Sequence, residues 1–194
     1  LAKAGRLRDQ ISTDEITPAF ICYHFDEKLG DFPYLGLKCG ETFPCKEGLV
    51  KAGGFVVSVS GKRRGKGSSR EASPYAELCA GIRLVIAESF ERIYRQNCQN
   101  LGLLTSTDFG LIERIRRGEA IPLREFTVGL DPITAEIVKR GGLFAFNAAR
   151  LKGEVAAPVS RHGPRPMTYA EKILARHGGQ GTVMPGDGLF VNAD

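Results

Sequence analysis

Apolar and polar positions along the chain switch between a short, continuous pattern and a helical one, and each switch marks an element. The run Gly54-Phe55-Val56-Val57-Ser58-Val59 is β-branched and unbroken, which predicts a buried strand, and Arg83-Leu84-Val85-Ile86-Ala87 predicts a second. Between them, Pro74-Tyr75-Ala76-Glu77-Leu78 reads as the start of a helix reaching about Gly81. Phe90, Ile93, Tyr94, Asn97 and Leu101 recur at helical spacing, so a helix from Phe90 to Leu101 is expected, with Ser89 as its cap. Thr107-Asp108 caps the next helix, whose apolar stripe is Leu111, Ile112 and Ile115 and whose stop is Gly118. Phe126-Thr127-Val128-Gly129-Leu130 reads as another strand. Asp131-Pro132 then supplies the N-cap and first position of a helix ending at Gly141-Gly142. Strands alternating with helices predict an α/β layered domain, closing near Leu151.

The flanks are less periodic. Ile11 to Ala19 alternates polar and apolar residues and runs through Pro18, which predicts a short strand or turn leading into a helix. Residues 26 to 54 are punctuated by glycine and proline and read as loop; one this long inside a compact domain is usually a lid or a binding loop. Lys152 to Arg165 has no periodicity and reads as a linker. Beyond it, Thr168 caps a helix from Tyr169 to His177, and Pro185-Gly186-Asp187-Gly188 turns into the strand-like Leu189-Phe190-Val191. The expected organisation is a domain over 1–151, a linker over 152–166 and a segment over 167–194 too short to fold alone.

With 194 residues, 42% of them hydrophobic, the chain can build a substantial core, so whole-chain disorder is excluded. The formal charge of +5 and pI near 9.0 fit a solvated basic surface, because no aromatics interleave the cations as a nucleic-acid face requires. No apolar run approaches the roughly 20 residues of a membrane span. Five cysteines form an odd set with no Cys-x-x-Cys pair, which excludes a disulfide framework or zinc knuckle and suits a reducing, cytoplasmic setting. The three histidines are scattered, so no metal site is expected from this chain alone. Leu1 to Arg6 lacks both a methionine and the apolar core of a signal peptide and reads as a processed or cloned end.

The candidate chemistry lies between the first strand and its helix, at Gly65-Lys66-Gly67-Ser68-Ser69-Arg70-Glu71. A glycine-rich strand-to-helix turn exposes backbone N–H groups, and Arg70 adds a planar fork of donors shaped for a carboxylate or phosphate. The turn reads as an anion cradle. Ser68-x-x-Glu71 also satisfies the capping-box pattern, which would serve a helix with no catalysis at all.

Two further blocks decide how the turn is read. Ile11-Ser12-Thr13-Asp14-Glu15-Ile16-Thr17-Pro18-Ala19, the Gly67 to Glu71 turn, and Ser89-Phe90-Glu91-Arg92-Ile93-Tyr94-Arg95-Gln96-Asn97 followed by Gly102-Leu103-Leu104 together resemble the aconitase and 3-isopropylmalate dehydratase superfamily. The resemblance is to its small subunit, or swivelling domain, over residues 6 to 150. It implies a three-layer β/β/α swivelling domain and a hydro-lyase that isomerises a small hydroxy di-acid by dehydration and rehydration. It carries the base role onto Ser68 and substrate-carboxylate contacts onto Ser69 and Arg70, with Thr13, Asp14, Gly67 and Glu71 in support and Asp14 orienting an arginine. It also implies a [4Fe-4S] cluster in a large partner domain or subunit, none being bound by this chain. Met167 to His177 with Val183-Met184-Pro185-Gly186-Asp187 resembles the start of that large part, so 167–194 is expected to be a truncated large domain.

Departures shape the expected substrate. Ala72 stands where many relatives have histidine or glutamine, and no arginine stands between Ala19 and Gly61, where aconitases place a second substrate contact. Phe20 to Phe25 and the glycine-rich stretch after it point to an apolar pocket and an alkyl-substituted malate rather than citrate. Arg92 and Arg95 read as a solvated helix face. Lys62, Arg63, Arg64 and Lys66 crowd the approach to the turn, where they could steer a dianion or meet an acidic partner. The alternatives left open are an aconitase, homoaconitase or dialkylmalate hydro-lyase, and a non-catalytic RNA- or ligand-binding module on the same fold.

Overall fold

The computed structural model describes residues 5–156, 159, 160 and 162–194; Ala157, Pro158 and Arg161 of the expected linker and Leu1 to Ala4 of the N-terminal reading lie outside the described residues. Its centre is a parallel sheet of β1 (Val57–Ser60), β2 (Leu84–Ala87) and β3 (Leu104–Ser106) in that spatial order. Val57 to Ser60 stand opposite Leu84 to Ala87, and Leu84 to Ile86 opposite Leu104 to Ser106. Parallel neighbours require crossovers. The helices α3 (Ala72–Cys79) and α4 (Arg92–Leu101) supply them, preceded in the chain by the short α1 (Thr13–Ile16) and α2 (Leu49–Ala52).

The period of two along β2 divides the core. Val85 faces a cluster with Ile11, Ile16, Ala80, Tyr94 and Cys98, whereas Leu84 and Ile86 face Leu111 and the apolar side of α5 (Gly110–Arg116). Because β2 is paired on both edges and covered on both faces, every one of its residues is buried, and each large aliphatic side chain there contributes about 1.5–3 kcal/mol. A third cluster packs Ile21, Leu29 and Phe32 against Ala76 of α3, so the 26–54 loop is anchored at its start. The rest of that loop is a 3-10 turn at Glu27–Asp31, α2 and irregular chain.

The α/β class holds, while several local expectations do not. β1 is an edge strand that begins at Val57; Phe55 and Val56 are exposed, because only β2 pairs with it. The β content outside the sheet is confined, among the described residues, to single bridges at Ser12–Lys66, Cys39–Thr42 and Arg64–Phe90. No strand forms at Phe126 to Leu130. Instead Leu123–Phe126 is a 3-10 turn, Gly129 takes a φ of 75°, and Phe126 packs on the Leu84–Ile86 face; β propensity without a free edge to pair does not make a strand. α4 starts at Arg92 rather than Phe90, and the hydroxyl of Ser89 accepts from the Arg63 amide at 2.9 Å instead of capping it. Its buried side is Tyr94, Cys98 and Gln99, leaving Ile93 exposed.

Asp131 caps α6 (Pro132–Lys139) by accepting from the Ile133 and Thr134 amides. α7 (Leu143–Leu151) follows, an element the sequence pattern did not single out. Thr168 caps α8 (Tyr169–His177) in a capping box with Glu171, and the Leu189 to Val191 segment is irregular rather than strand. The tail folds back on the domain. Phe190 stacks on Phe146 of α7 at 6.0 Å with the Arg150 guanidinium 4.9 Å from its ring, and Asp187 accepts from the Ser160 hydroxyl at 3.1 Å and stands 2.9 Å from the His162 ring.

Candidate active site

The Gly65 to Arg70 turn is stitched to the N-terminal segment. Ser12 caps α1 in a capping box with Glu15, which fixes where the chain turns, and the Thr13 amide then donates to the Lys66 carbonyl at 2.8 Å. The Thr13 hydroxyl donates to the Ser68 carbonyl at 3.0 Å, and the Gly65 amide to the Ile11 carbonyl at 2.8 Å. Gly65 and Gly67 take φ values of 82° and 109°, and an added Cβ on Gly65 would stand 2.1 Å from Cγ of Tyr94. Only glycine serves at that position.

Arg70 is half-buried and anchored from the same segment. Its Nη1 lies 2.5 Å from Asp14 Oδ1 and donates to the Thr17 carbonyl at 3.1 Å. Among the described residues its Nη2 and Nε make no hydrogen bond, which leaves one edge of the fork for an anion. Ser68 and Ser69 are exposed beside it. Thr13, Gly67, Ser68, Ser69 and Arg70 meet at one cavity of about 190 Å³, and Asp14 reaches it through Arg70.

Glu71 goes elsewhere. It occupies the N-cap position of α3 without a side-chain capping bond, so the Ser68-x-x-Glu71 capping box is not formed: the helix starts at Ala72, which puts Glu71 where the box needs Ser68. Glu71 instead lines a separate cavity of about 460 Å³ with His24, Phe25 and Tyr75. Asp14 also borders a third, of about 410 Å³, beside Phe20 and Phe43. Much of the aromatic stretch after Ala19 is thus on the surface, with Phe20, Tyr23 and Phe25 exposed.

Four residues of the cavity escape sequence reasoning. Glu91, Arg92, Ile93 and Tyr94 also line it. Arg92 is exposed, as a solvated helix face predicts, and from there it also brings a second guanidinium to the cavity wall. The sequence offered no signal for it, since Ile93 falls within the apolar spacing of its helix and only the structure leaves it exposed.

The basic run before the turn is not one surface patch. Arg63 pairs with Glu91 at 2.7 Å, Lys66 bonds Gln10 at 3.0 Å, and Arg64 is 1% exposed, inside the core. Its Nη2 lies 2.5 Å from Glu77 Oε1 and 2.8 Å from the Tyr34 hydroxyl, while the Tyr94 hydroxyl donates to Glu77 Oε2 at 2.5 Å. Burial pushes both phenols above their ordinary range, so they stay protonated as donors. Burial works against the Arg64 charge, but Glu77 and the two tyrosines outweigh it and hold that charge firmly. Ser73, too, is buried, its hydroxyl donating to the Thr13 carbonyl at 3.1 Å and tying α3 to α1.

The described residues gather no group of three or more His, Cys, Asp or Glu side chains suited to a metal ion. Nor, among them, is any helix long and apolar enough to cross a membrane.

A parallel sheet whose first crossover opens with an exposed Gly-Ser-Ser-Arg turn defines a class, and the sequence model of the aconitase C-terminal domain matches residues 44–107, spanning all three strands and the turn. The 3-isopropylmalate dehydratase small subunit of Desulfovibrio desulfuricans is 34% identical over 164 residues, 77% of this chain and 95% of the relative. The isopropylmalate/citramalate isomerase small subunit of Methanocaldococcus jannaschii is 34% identical over 74% of this chain and 90% of its own length. A crystal structure of the 3-isopropylmalate dehydratase from the same organism superposes with a TM-score of 0.56 at 26% identity, over 77% of this chain and 93% of the other. The chain belongs to the 3-isopropylmalate dehydratase small-subunit family of the aconitase superfamily, a family of hydro-lyases. An aconitase of Alternaria alternata matches at 32% identity over 92% of this chain but 22% of its own length.

Proposed function

We propose that this chain is the small, swivelling component of a 3-isopropylmalate dehydratase-like enzyme that isomerises an alkyl-substituted hydroxy di-acid. The observation that carries this reading is the anchoring of Arg70 by Asp14 and Thr17 beside the exposed Ser68 and Ser69, at a cavity that Arg92 and Ile93 also line. Arg70 binds one substrate carboxylate through its open edge, and the Ser69 hydroxyl adds a donor to the same group. Arg92 takes the second carboxylate. Ile93 meets the alkyl substituent, which disfavours a third carboxylate in that place.

Ser68 takes the proton from the carbon flanking the carboxylate. A serine hydroxyl is a weak acid, so the alkoxide needs oriented N–H groups and positive charge; the backbone around the left-handed Gly67 and the neighbouring guanidiniums serve that need. Asp14, Thr13 and Gly67 hold the turn, while Glu71 supports it only through the start of α3. A [4Fe-4S] cluster belongs, in this reading, to a large partner subunit or domain, where it supplies Lewis-acid activation of the leaving hydroxyl. Residues 1–151 form the swivelling domain and 167–194 open the cluster-bearing part. The setting is cytoplasmic.

The test is reconstitution. The chain alone should turn over neither isopropylmalate nor citrate. Mixed with a cluster-loaded large subunit, it should form the unsaturated di-acid from isopropylmalate, seen by its ultraviolet absorbance, with a kcat/KM at least about tenfold above that for citrate. Equal or greater activity on citrate would overturn the substrate assignment, and absence of turnover with every partner and di-acid would overturn the enzyme reading.

A further inference from the structure

The buried group beneath the turn is not explained by binding or proton transfer, since none of Arg64, Glu77, Tyr34 and Ser58 lines the Ser68 cavity. We propose that Arg64 and Glu77, with Tyr34 and Tyr94, are positioning residues that lock the Gly65–Arg70 turn onto the helices around the cavity. This rests on reading that turn as the reactive one.

The geometry gives the lock its reach. Arg64 immediately precedes Gly65, and its backbone is itself fixed, its amide donating to the Ser89 carbonyl at 2.9 Å and its carbonyl accepting from the Glu91 amide at 2.8 Å. Its side chain meets Glu77, in the last turn of α3, with the guanidinium carbon 5.4 Å from the Tyr34 ring and 5.7 Å from the Tyr94 ring. The Tyr34 hydroxyl donates to Glu77 Oε1 at 2.5 Å and lies 2.7 Å from the Ser58 hydroxyl of β1, while its amide donates to the Ile16 carbonyl of α1 at 2.7 Å. Tyr34 holds a φ of 68°, a strained value for a residue with a side chain, which the surrounding bonds must enforce. Tyr94 completes the chain of contacts, its hydroxyl on Glu77 and its ring under Gly65 in the cavity wall. One carboxylate thus joins α1, β1, α3, α4 and the turn.

Such a group is a poor way to gain stability. Removing two charges from water costs several kcal/mol per ion, and apolar replacements of similar volume commonly leave a protein as stable or more so. What an ion pair with fixed hydrogen bonds adds is a single permitted arrangement. A serine that must meet a substrate carbon within a fraction of an ångström needs that arrangement.

The experiment uses the full chain carrying Arg64→Met and Glu77→Leu together, compared with the parent by urea titration and by peptide-resolved amide exchange. The double variant should unfold at a lower urea concentration, because the buried Tyr34 and Tyr94 hydroxyls lose their Glu77 acceptor. Exchange in the peptide spanning Gly65–Arg70 should rise roughly ten- to a hundredfold more than in β2, the loss of one to two charge-assisted hydrogen bonds. A folded double variant whose turn exchanges at the parent rate overturns the proposal, as does an equal rise in the turn and in β2. If the double variant does not fold, Tyr94→Phe decides. It keeps the ring and the ion pair and removes one bond, so the turn should exchange about tenfold faster, and an unchanged rate overturns the proposal. With the large subunit, the loosened variants should lose kcat while KM stays within about threefold of the parent. A turn that loosens with no loss of turnover contradicts the catalytic reading of the turn while leaving the positioning role intact.

Discussion

Substituting Gly65 by alanine tests the packing of the turn without any partner or substrate. Two costs add. The φ of 82° places a side-chain-bearing residue in the left-handed region, at about 1–2 kcal/mol. The new Cβ would stand 2.1 Å from Tyr94 Cγ and 2.2 Å from its Cβ, and Tyr94 cannot withdraw easily because its hydroxyl is held by Glu77, so overpacking adds about 1–3 kcal/mol. The sum, about 2–5 kcal/mol, is a large share of the 5–15 kcal/mol typical of a domain. Gly118→Ala isolates the first cost, since Gly118 has a φ of 72° with nothing within 4 Å of its added Cβ. In urea titrations analysed at a common slope, Gly65→Ala should lose about 1–3 kcal/mol more than Gly118→Ala. Equal losses, within about 0.5 kcal/mol, would refute the close approach of Tyr94 to the turn.

Asp14→Asn should leave the urea midpoint almost unchanged, because a partly exposed pair is worth about 1 kcal/mol or less, yet in the reconstituted enzyme it should raise the substrate KM about tenfold as Arg70 loses its anchor. Asp131→Ala should cost about 1 kcal/mol at neutral pH through loss of the α6 cap. Burial pushes the Asp131 carboxyl up, but bonds from Thr134 and Ile133 outweigh it and hold it below the ordinary aspartate value. The cap's contribution is therefore present above the ordinary value and lost as pH falls through the lowered one, so parent and variant should converge in urea titrations once the pH is below that lowered value. Thiol labelling should find Cys39 reactive in the native chain, whereas Cys98, fully buried and with its thiol pushed up by burial, should label only on unfolding.

What the sequence disclosed was mostly local or strongly periodic. β2 was legible because four consecutive apolar residues admit few other fates, and the caps at Asp131 and Thr168 because each acts on amides two or three positions ahead. Phe126 to Leu130 misled because strand formation depends on a neighbouring edge that only the tertiary fold supplies. β3, the residues Leu104 to Ser106, is too short to carry a period of its own.

The site shows the same division. Ser68, Ser69, Arg70 and Thr13 were visible as a pattern, but the ion pair of Arg70 with Asp14 spans a separation that spacing cannot resolve. Arg64 was hidden by its company: set among Lys62, Arg63 and Lys66 it reads as surface, and only the depth of Glu77, itself 0% exposed, shows where it goes. Ser73 illustrates the practical consequence. It lies near the turn in sequence and looks like a neutral control for Ser68, yet its buried bond to Thr13 makes it structural. Ser106, at the end of β3 and outside the cavity lining, is the better control.

The measurement that bears most directly on the proposed function is the turnover of Ser68→Ala beside Ser106→Ala, each reconstituted with a cluster-loaded large subunit and assayed on isopropylmalate. If Ser68 takes the proton, its variant should fold as the parent does and lose at least about a hundredfold in kcat, with Ser106→Ala within about twofold of the parent. A folded Ser68→Ala enzyme that turns over at the parent rate would contradict the account.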